Sequence, residues 1–404
     1  MLGELLARVI QQGRAWRSGF ILLVILGLAG GGLVRAQDAP SGGDSNDQQN
    51  SQVPADAGGP QSDVGPYAIP KKKEEPPPPP PPEHPKKIEG MPDYTLHVSV
   101  PLVEVPVSVV AKDGTFISTL TKDNFRITED GVPQTISGFG VSQAPITAVL
   151  LTEFAACNYY FTVDALRGSY AFASQLKKND WVAVEYFDLR PHILLDFTQD
   201  KNAVMGAINE LQIPGFSETD VFQALFDTLD RIDRIEGHKY VILVSSGYDS
   251  FSRITYDQLL KKIKATKDVT IYPISTGWLA RTYAEARGGA PQCGPTVFRR
   301  TEVDYLQADN EMQTYAKMTG GRFYQPRFEA EYPEVFHEIL GDIRNQYVIS
   351  YHPTNQAMDG TYRKLKVEVV APDGGPLKVR DQKGKNVKIE VVARDGYTAK
   401  HTVD

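Results

Sequence analysis

From Leu96 to Ile127 apolar and polar positions alternate, with Val98, Val100, Val103, Val105, Val107 and Val109 carrying the apolar face. A period of two predicts half-buried β-strands. Asp113-Gly114 and Asp130-Gly131 add hairpin turn signals. One strand-turn phrase occurs three times, at Ser108–Gly114, Glu368–Gly374 and Glu390–Gly396. Shared hairpin chemistry explains the echo better than true repetition. Between these β segments the pattern changes. Short apolar runs predict strands at 148–152, 181–186, 193–197, 240–245, 269–275 and 322–324. Helical periodicity predicts helices near 163–177, 201–211, 219–235, 254–267, 307–318 and 331–344. In the third helix Phe222, Leu225, Phe226, Leu229 and Ile232 fall on one face. Gly320-Gly321 marks a helix stop. Strand-helix alternation predicts an α/β fold, a mainly parallel sheet with helices on both faces. Its binding crevice is expected beyond the carboxyl ends of the central strands.

The first 100 residues have another character. Arg8, Arg14 and Arg17 precede an uncharged apolar run, Gly19 to Val34, and then Val34-Arg35-Ala36. This is the layout of a secretory signal peptide, with cleavage expected after Ala36. The run has about 16 residues against the roughly 20 of a spanning helix. The alternative is an uncleaved inner-membrane anchor facing the periplasm, which would be the protein's one contact with a membrane. Residues 37–92 are rich in Asp, Ser, Gln, Gly and Pro and poor in large apolar side chains. Such a segment cannot offset the entropy of ordering, so a linker is predicted. Pro76 to Pro82 make a polyproline II spacer within it.

The domain reading is therefore a signal or anchor at 1–36, a linker at 37–92, a β segment at 93–140, an α/β domain at 141–345 and a second β segment at 346–399. Neither β segment can bury a large core alone. The two are expected to pack together as a small β-sandwich with the α/β domain inserted between them.

The 404 residues carry 43 Lys and Arg against 50 Asp and Glu, a net charge of −7. That balance argues against a nucleic-acid binder. With two cysteines, Cys157 and Cys293, the chain is no disulfide scaffold and holds no Cys-rich zinc module. His337-Glu338 lacks the second His of a zinc-protease helix, because position 341 is Gly. No phosphate loop, nucleophile elbow or dinucleotide fingerprint occurs. His192 and His238 border strands and read as structural. Asp180, Asp188, Asp196 and Asp200 read as a solvated rim. No enzymatic activity is expected.

The phrases LKKNDWVAVEYFD, LLDFTQD, SETDVFQALFDTL, KYVILVSSGYDS, VTIYPIST and YAKMTGGRFYQP occur in that order. With the later IRNQYVISYHP and GTYRKLKVEVV, this order resembles a von Willebrand factor type A (vWFA) domain. It looks like the vWFA-related family known largely from exported acidobacterial proteins. The resemblance covers roughly 95–397. It implies a crevice that engages a protein partner, and a metal-ion-dependent adhesion site at the top of the sheet. That site has the pattern Asp-x-Ser-x-Ser, a later Thr and a later Asp, around a hard cation. Here the three leading positions are Glu153, Ala155 and Cys157. The Thr is kept as Thr219, while the later Asp falls on Ser246, with Asp249 nearby. Alanine donates nothing, and sulfur does not suit magnesium. A degenerate site with no bound cofactor is expected, magnesium or calcium being the one alternative. Ser217 to Asp220 also suit a helix cap, and Asp249 a turn.

Cys157 follows the first strand, and Cys293 lies in a stretch, Gly277 to about Thr301, expected to be irregular. Both belong to the carboxyl end of the sheet, and an oxidising compartment favours a disulfide between them. The first and fifth strands are not neighbours, however. Cα atoms more than about 7 Å apart would leave a buried and an exposed thiol instead. Two functional readings follow. One is an exported envelope module that binds a protein partner. The other is a structural envelope component whose crevice is unused.

Overall fold

The computed structural model describes residues 101–401 apart from 113, 143, 287–300 and 381–383. The signal segment, the linker and Cys293 lie outside the described residues. Among those described, no helix is long and apolar enough to cross a membrane.

The strands are β1 (Val103–Ala111), β2 (Phe125–Glu129), β3 (Val132–Gln134), β4 (Ile136–Val141), β5 (Thr147–Glu153), β6 (Trp181–Phe187), β7 (Pro191–Thr198), β8 (Lys239–Ser245) and β9 (Val269–Ser275). They continue as β10 (Tyr347–Tyr351), β11 (Tyr362–Val369), β12 (Val379–Arg380), β13 (Asn386–Val387), β14 (Ile389–Ala393) and β15 (Gly396–Thr398). The helices are α1 (Tyr159–Ser174), α2 (Lys201–Glu210), α3 (Val221–Ile232), α4 (Tyr256–Ala265), α5 (Gly277–Ala286), α6 (Glu302–Thr319) and α7 (Tyr332–Arg344).

The central sheet has the order β7-β6-β5-β8-β9. β5 pairs in parallel with β6 on one side and β8 on the other, and β9 continues in parallel beyond β8. β7 is an antiparallel edge. Every residue of β8 and β9 is buried, as a strand covered on both faces requires. On one face Leu150, Val184 and Ile242 pack against α1, α2 and α7. On the other Leu151, Ala183 and Leu243 pack against α3, α4 and α6. This is the α/β arrangement expected from the sequence. Strand order reverses between β5 and β8, so the crevice of the sheet opens at their carboxyl ends.

Three local expectations need correction. The strand expected at 322–324 is reduced to one parallel bridge, Ile274 to Tyr324, because Gly320-Gly321 and the start of the next loop leave little chain to pair. The stretch from Gly277 is not irregular at first, since Gly277–Ala286 forms α5. On α3 the buried stripe is Val221, Ala224, Leu225, Thr228, Leu229 and Ile232, while Phe222 and Phe226 are only partly covered. The small and β-branched positions turn to the sheet and the phenylalanines sit at its flank. Gly320 ends α6 in the left-handed region (φ 79°), where a Cβ would lie 2.7 Å from the Arg394 nitrogen.

The flanking β segments meet. β1 pairs antiparallel with β10 and with β14, giving a sheet ordered β14-β1-β10-β4. A second sheet, β15-β11-β2-β3, faces it. Val105, Val107, Phe125, Ile127, Tyr347 and Ile349 fill the space between. The sandwich is fixed to the α/β domain by side chains. Ser108 donates to Asp342 Oδ1 at 3.4 Å, and Thr398 Oγ1 donates to the Lys264 carbonyl at 2.7 Å.

Candidate functional site

The site grows from the last residue of β5. Glu153 is wholly buried, and its carboxylate turns toward the end of β8. There Ser245 Oγ donates to Glu153 Oε2 at 2.8 Å, the Ser246 N–H at 2.6 Å and Ser246 Oγ at 2.9 Å. Asn158 Nδ2 closes the ring by donating to Glu153 Oε1 and, at 2.9 Å, to Ser246 Oγ. Buried carboxylates persist when they are hydrogen-bonded, and this one has donors on both oxygens. Gly247 and Tyr248 N–H groups bond the two serine hydroxyls in turn.

The loop after β5 is tied on both sides. Phe154 N–H bonds the Phe187 carbonyl, and Ala156 N–H bonds the Phe216 carbonyl at 2.6 Å. Ala155 is buried and offers no donor atom. Cys157 is disulfide-bonded. The other cysteine of the sequence is Cys293, outside the described residues.

Across the crevice lies the entry to α3. Thr219 and Asp220 are buried, and neither Thr219 Oγ1 nor Asp220 Oδ1 has a partner. Asp220 was expected, with its neighbours, to cap the helix, but its side chain makes no capping bond. The cap comes from the loop after β8. Asp249 Oδ1 accepts from Phe222 N at 3.1 Å, and Ser252 Oγ accepts from Gln223 N at 2.9 Å. Ser252 Oγ also donates to Asp249 at 2.5 Å. Burial, with Asp249 and Asp188 nearby, pushes Asp220 up to about 8.

Of the six positions singled out from the sequence, Glu153 and Ser246 are in direct contact. Thr219 lies at the entry to α3, and Asp249, in the loop after β8, caps that helix. Ala155 contributes only backbone, and Cys157 a disulfide. Asn158, Ser245 and Asp220 were not singled out. Asn158 stands at the start of α1, ahead of the helix start expected near 163. The four aspartates read as a solvated rim divide. Asp180 is buried, accepting from the Ile146 and Lys177 N–H groups and pairing with Arg344 at 2.6 Å. Asp188 is buried and pairs with His192 at 3.2 Å. Asp196 pairs with Arg231 at the surface, and Asp200 caps α2. His238 accepts or donates one bond with Thr270 Oγ1, and burial holds its ring down at about 3.

This donor set does not fit a hard divalent cation. The one carboxylate of the first loop is consumed by protein donors, position 155 has no oxygen, and the sulfur at 157 is bridged. Among the described residues no group of three or more His, Cys, Asp or Glu is placed to hold a metal.

Large apolar side chains rim the crevice. Tyr160, Ile213, Phe216, Phe251, Val303 and Leu306 are between 43% and 86% exposed. All six stand on loops or helix starts at the carboxyl end of the sheet. A separate cavity of about 150 Å³ lies at the opposite end, in the seam where Lys264 and Asp268 meet Arg394 and Tyr397. It is remote from the crevice.

No family model matches the sequence, and no curated protein matches it. Solved structures do resemble it. One is a von Willebrand factor type A protein from Catenulispora acidiphila, with 12% identity, 71% of this chain and 76% of that chain covered, and a TM-score of 0.38. Another is the vWF domain of a type V pili tip protein from Porphyromonas gingivalis, at 12% identity, 50% and 96% coverage and TM-score 0.37. The conserved hypothetical protein BatB from Bacteroides thetaiotaomicron gives 12%, 49%, 98% and 0.34. These likenesses are too distant to carry residue roles or function. The α/β fold rests on the sheet itself, with its order β7-β6-β5-β8-β9 and helices packed on both faces.

Proposed function

We propose that this protein is an exported cell-envelope module that grips a protein partner with the loops at the carboxyl end of its α/β sheet. It does so without a bridging metal and catalyses no reaction. The observation that carries this reading is the set of exposed apolar side chains around the crevice, Phe216 and Phe251 foremost. Soluble proteins seldom expose many large apolar groups together unless something covers them. Export is supported by the basic, apolar and small-residue succession of residues 8–36, and reach by the proline-rich segment that follows. The metal-free character is supported by the Glu153 network, which supplies from Asn158, Ser245 and Ser246 the contacts a cation would otherwise make.

Photo-crosslinking tests it. A benzophenone amino acid placed at Phe251 or Phe216 in cells should give one and the same protein adduct, unchanged by chelator. The same probe at Trp181, exposed at the amino end of β6, should not give it. Equal adducts from all three positions would remove the preference for this face. No adduct at 216 and 251 would return the reading to a structural envelope component with an unused crevice.

A further inference from the structure

Next to the Glu153 network the carboxyl end of the sheet holds a cleft of about 220 Å³. It runs between the loop after β8 and the first turns of α6. Phe222, Tyr248 and Tyr256 give it aromatic walls, and Asp249, Asp304 and Glu311 give it three carboxyl groups. No lysine, arginine or histidine lines it. Among the described residues none of the three acids is in a salt bridge.

The acids are held in place by neutral donors. Gln307 Nε2 donates to Glu311 Oε1 at 2.9 Å. Thr301 Oγ1 and N–H bond Asp304 at 2.9 and 2.6 Å. Phe222 N–H and Ser252 Oγ hold Asp249. The cleft is therefore shaped before any ligand arrives. Burial raises both Glu311 and Asp249, and Asp249 adds to the rise at Glu311. A further observation lies behind these groups. The Tyr315 hydroxyl is buried and has no partner. Its ring is 6.1 Å from that of Tyr256, and burial raises its hydroxyl well above the ordinary value, with Glu311, Tyr256 and Asp249, which line the cleft, adding to the rise.

The chemistry selects the ligand. Three acids repel an anion. The donors do not form the oxygen octahedron that a hard divalent cation demands, in keeping with the absence of a metal-holding group among the described residues. An organic cation satisfies every part. Its charge meets the carboxylates, its N–H groups face Glu311, Asp249 and Asp304, and its apolar stem lies on Phe222, Tyr248 and Tyr256.

We propose that this cleft takes the cationic side chain of a lysine or arginine presented by the protein partner. The inference rests on the partner-binding reading above and names the chemistry that the partner must bring. Arginine should bind the more tightly, because its planar fork matches both a carboxylate and an aromatic face.

The test is an NMR titration of the purified protein, labelled at tyrosine, with acetyl-arginine amide, acetyl-lysine amide and, as the neutral control, acetyl-glutamine amide. The two cationic probes should move the Tyr248 and Tyr256 signals, and the glutamine probe should not. Glu311→Gln should weaken the arginine probe about tenfold, the loss of one charge-assisted bond. Tyr248→Leu, which keeps every charge and an apolar side chain but removes the ring, should weaken it several-fold. Unmoved tyrosine signals, equal shifts from the glutamine probe, or undiminished binding to Glu311→Gln would each overturn the proposal. Because the probes are free amino-acid derivatives, their failure is distinct from failure of the photo-crosslinks, which report the face and not the cation.

Discussion

Two buried carboxyl groups face the same crevice and are treated in opposite ways. Glu153, at the end of β5, receives hydrogen bonds from Asn158, Ser245 and Ser246 on both oxygens. Asp220, at the start of α3, has an oxygen with no partner and stands among other acids. The first is built into the fold. The second is a standing cost, lowered by taking up a proton. The lesson is that the acids of one crevice can be satisfied unevenly. On the β5 and β8 side neutral donors meet the carboxylate. On the α3 side the acid and the Thr219 hydroxyl remain bare, and the cap they would have supplied comes from Asp249 and Ser252.

The contrast breaks most visibly at Glu153. Glu153→Ala leaves the Asn158 amide and two serine hydroxyls buried without their acceptor. At about 1–3 kcal/mol for each stranded group, the loss should be on the order of 4 kcal/mol in urea denaturation. A loss below about 1 kcal/mol would mean that the network is not as tightly closed as its distances state.

Asp220 should show the reverse behaviour, and through pH. Its folded value of about 8 stands above the ordinary 3.8. Between those values the native state binds the proton and the unfolded state releases it. Its contribution is therefore fully present below about pH 4 and is lost as pH rises through 8. The slope for one such group is at most about 1.4 kcal/mol per pH unit. Asp220→Asn, neutral throughout, should flatten that part of the stability curve and be the more stable form at pH 8. An unchanged slope would show that Asp220 finds a partner in solution.

The smallest effect belongs to Thr219. Thr219→Val replaces a buried, unpartnered hydroxyl by a methyl group of the same shape. It should be neutral or stabilising by about 1 kcal/mol. A clear destabilisation would place a hydrogen bond on that hydroxyl and narrow the contrast between the two sides.

Much of the architecture was legible in the chain. β8 and β9 are mostly apolar because both faces of the sheet are covered, and helical spacing located all but one of the seven helices among the described residues. α5 escaped notice because its sequence, GWLARTYAEA, opens on glycine and sits before a glycine-rich stretch. That Ala155, Cys157 and Ser246 are poor oxygen donors for a cation was legible too, since it needs only residue identities. The hydrogen bonds around Glu153 were not. Asn158 lies 5 residues from Glu153 and 88 from Ser246, and nothing in the local sequence points to that pairing. The cap of α3 spans 27 residues to Asp249. Such bonds depend on where the strand ends meet, and strand order is a property of the folded sheet.

The central claim is that protein donors hold this crevice without a cation. Thermal unfolding of the purified protein in chelator, and then in excess magnesium or calcium, addresses it directly. A site filled to about 100 times its dissociation constant would add about 2.7 kcal/mol, a readily measured rise in Tm. The account predicts the same Tm in all three solutions. A magnesium- or calcium-dependent rise that disappears in Thr219→Ala would contradict it.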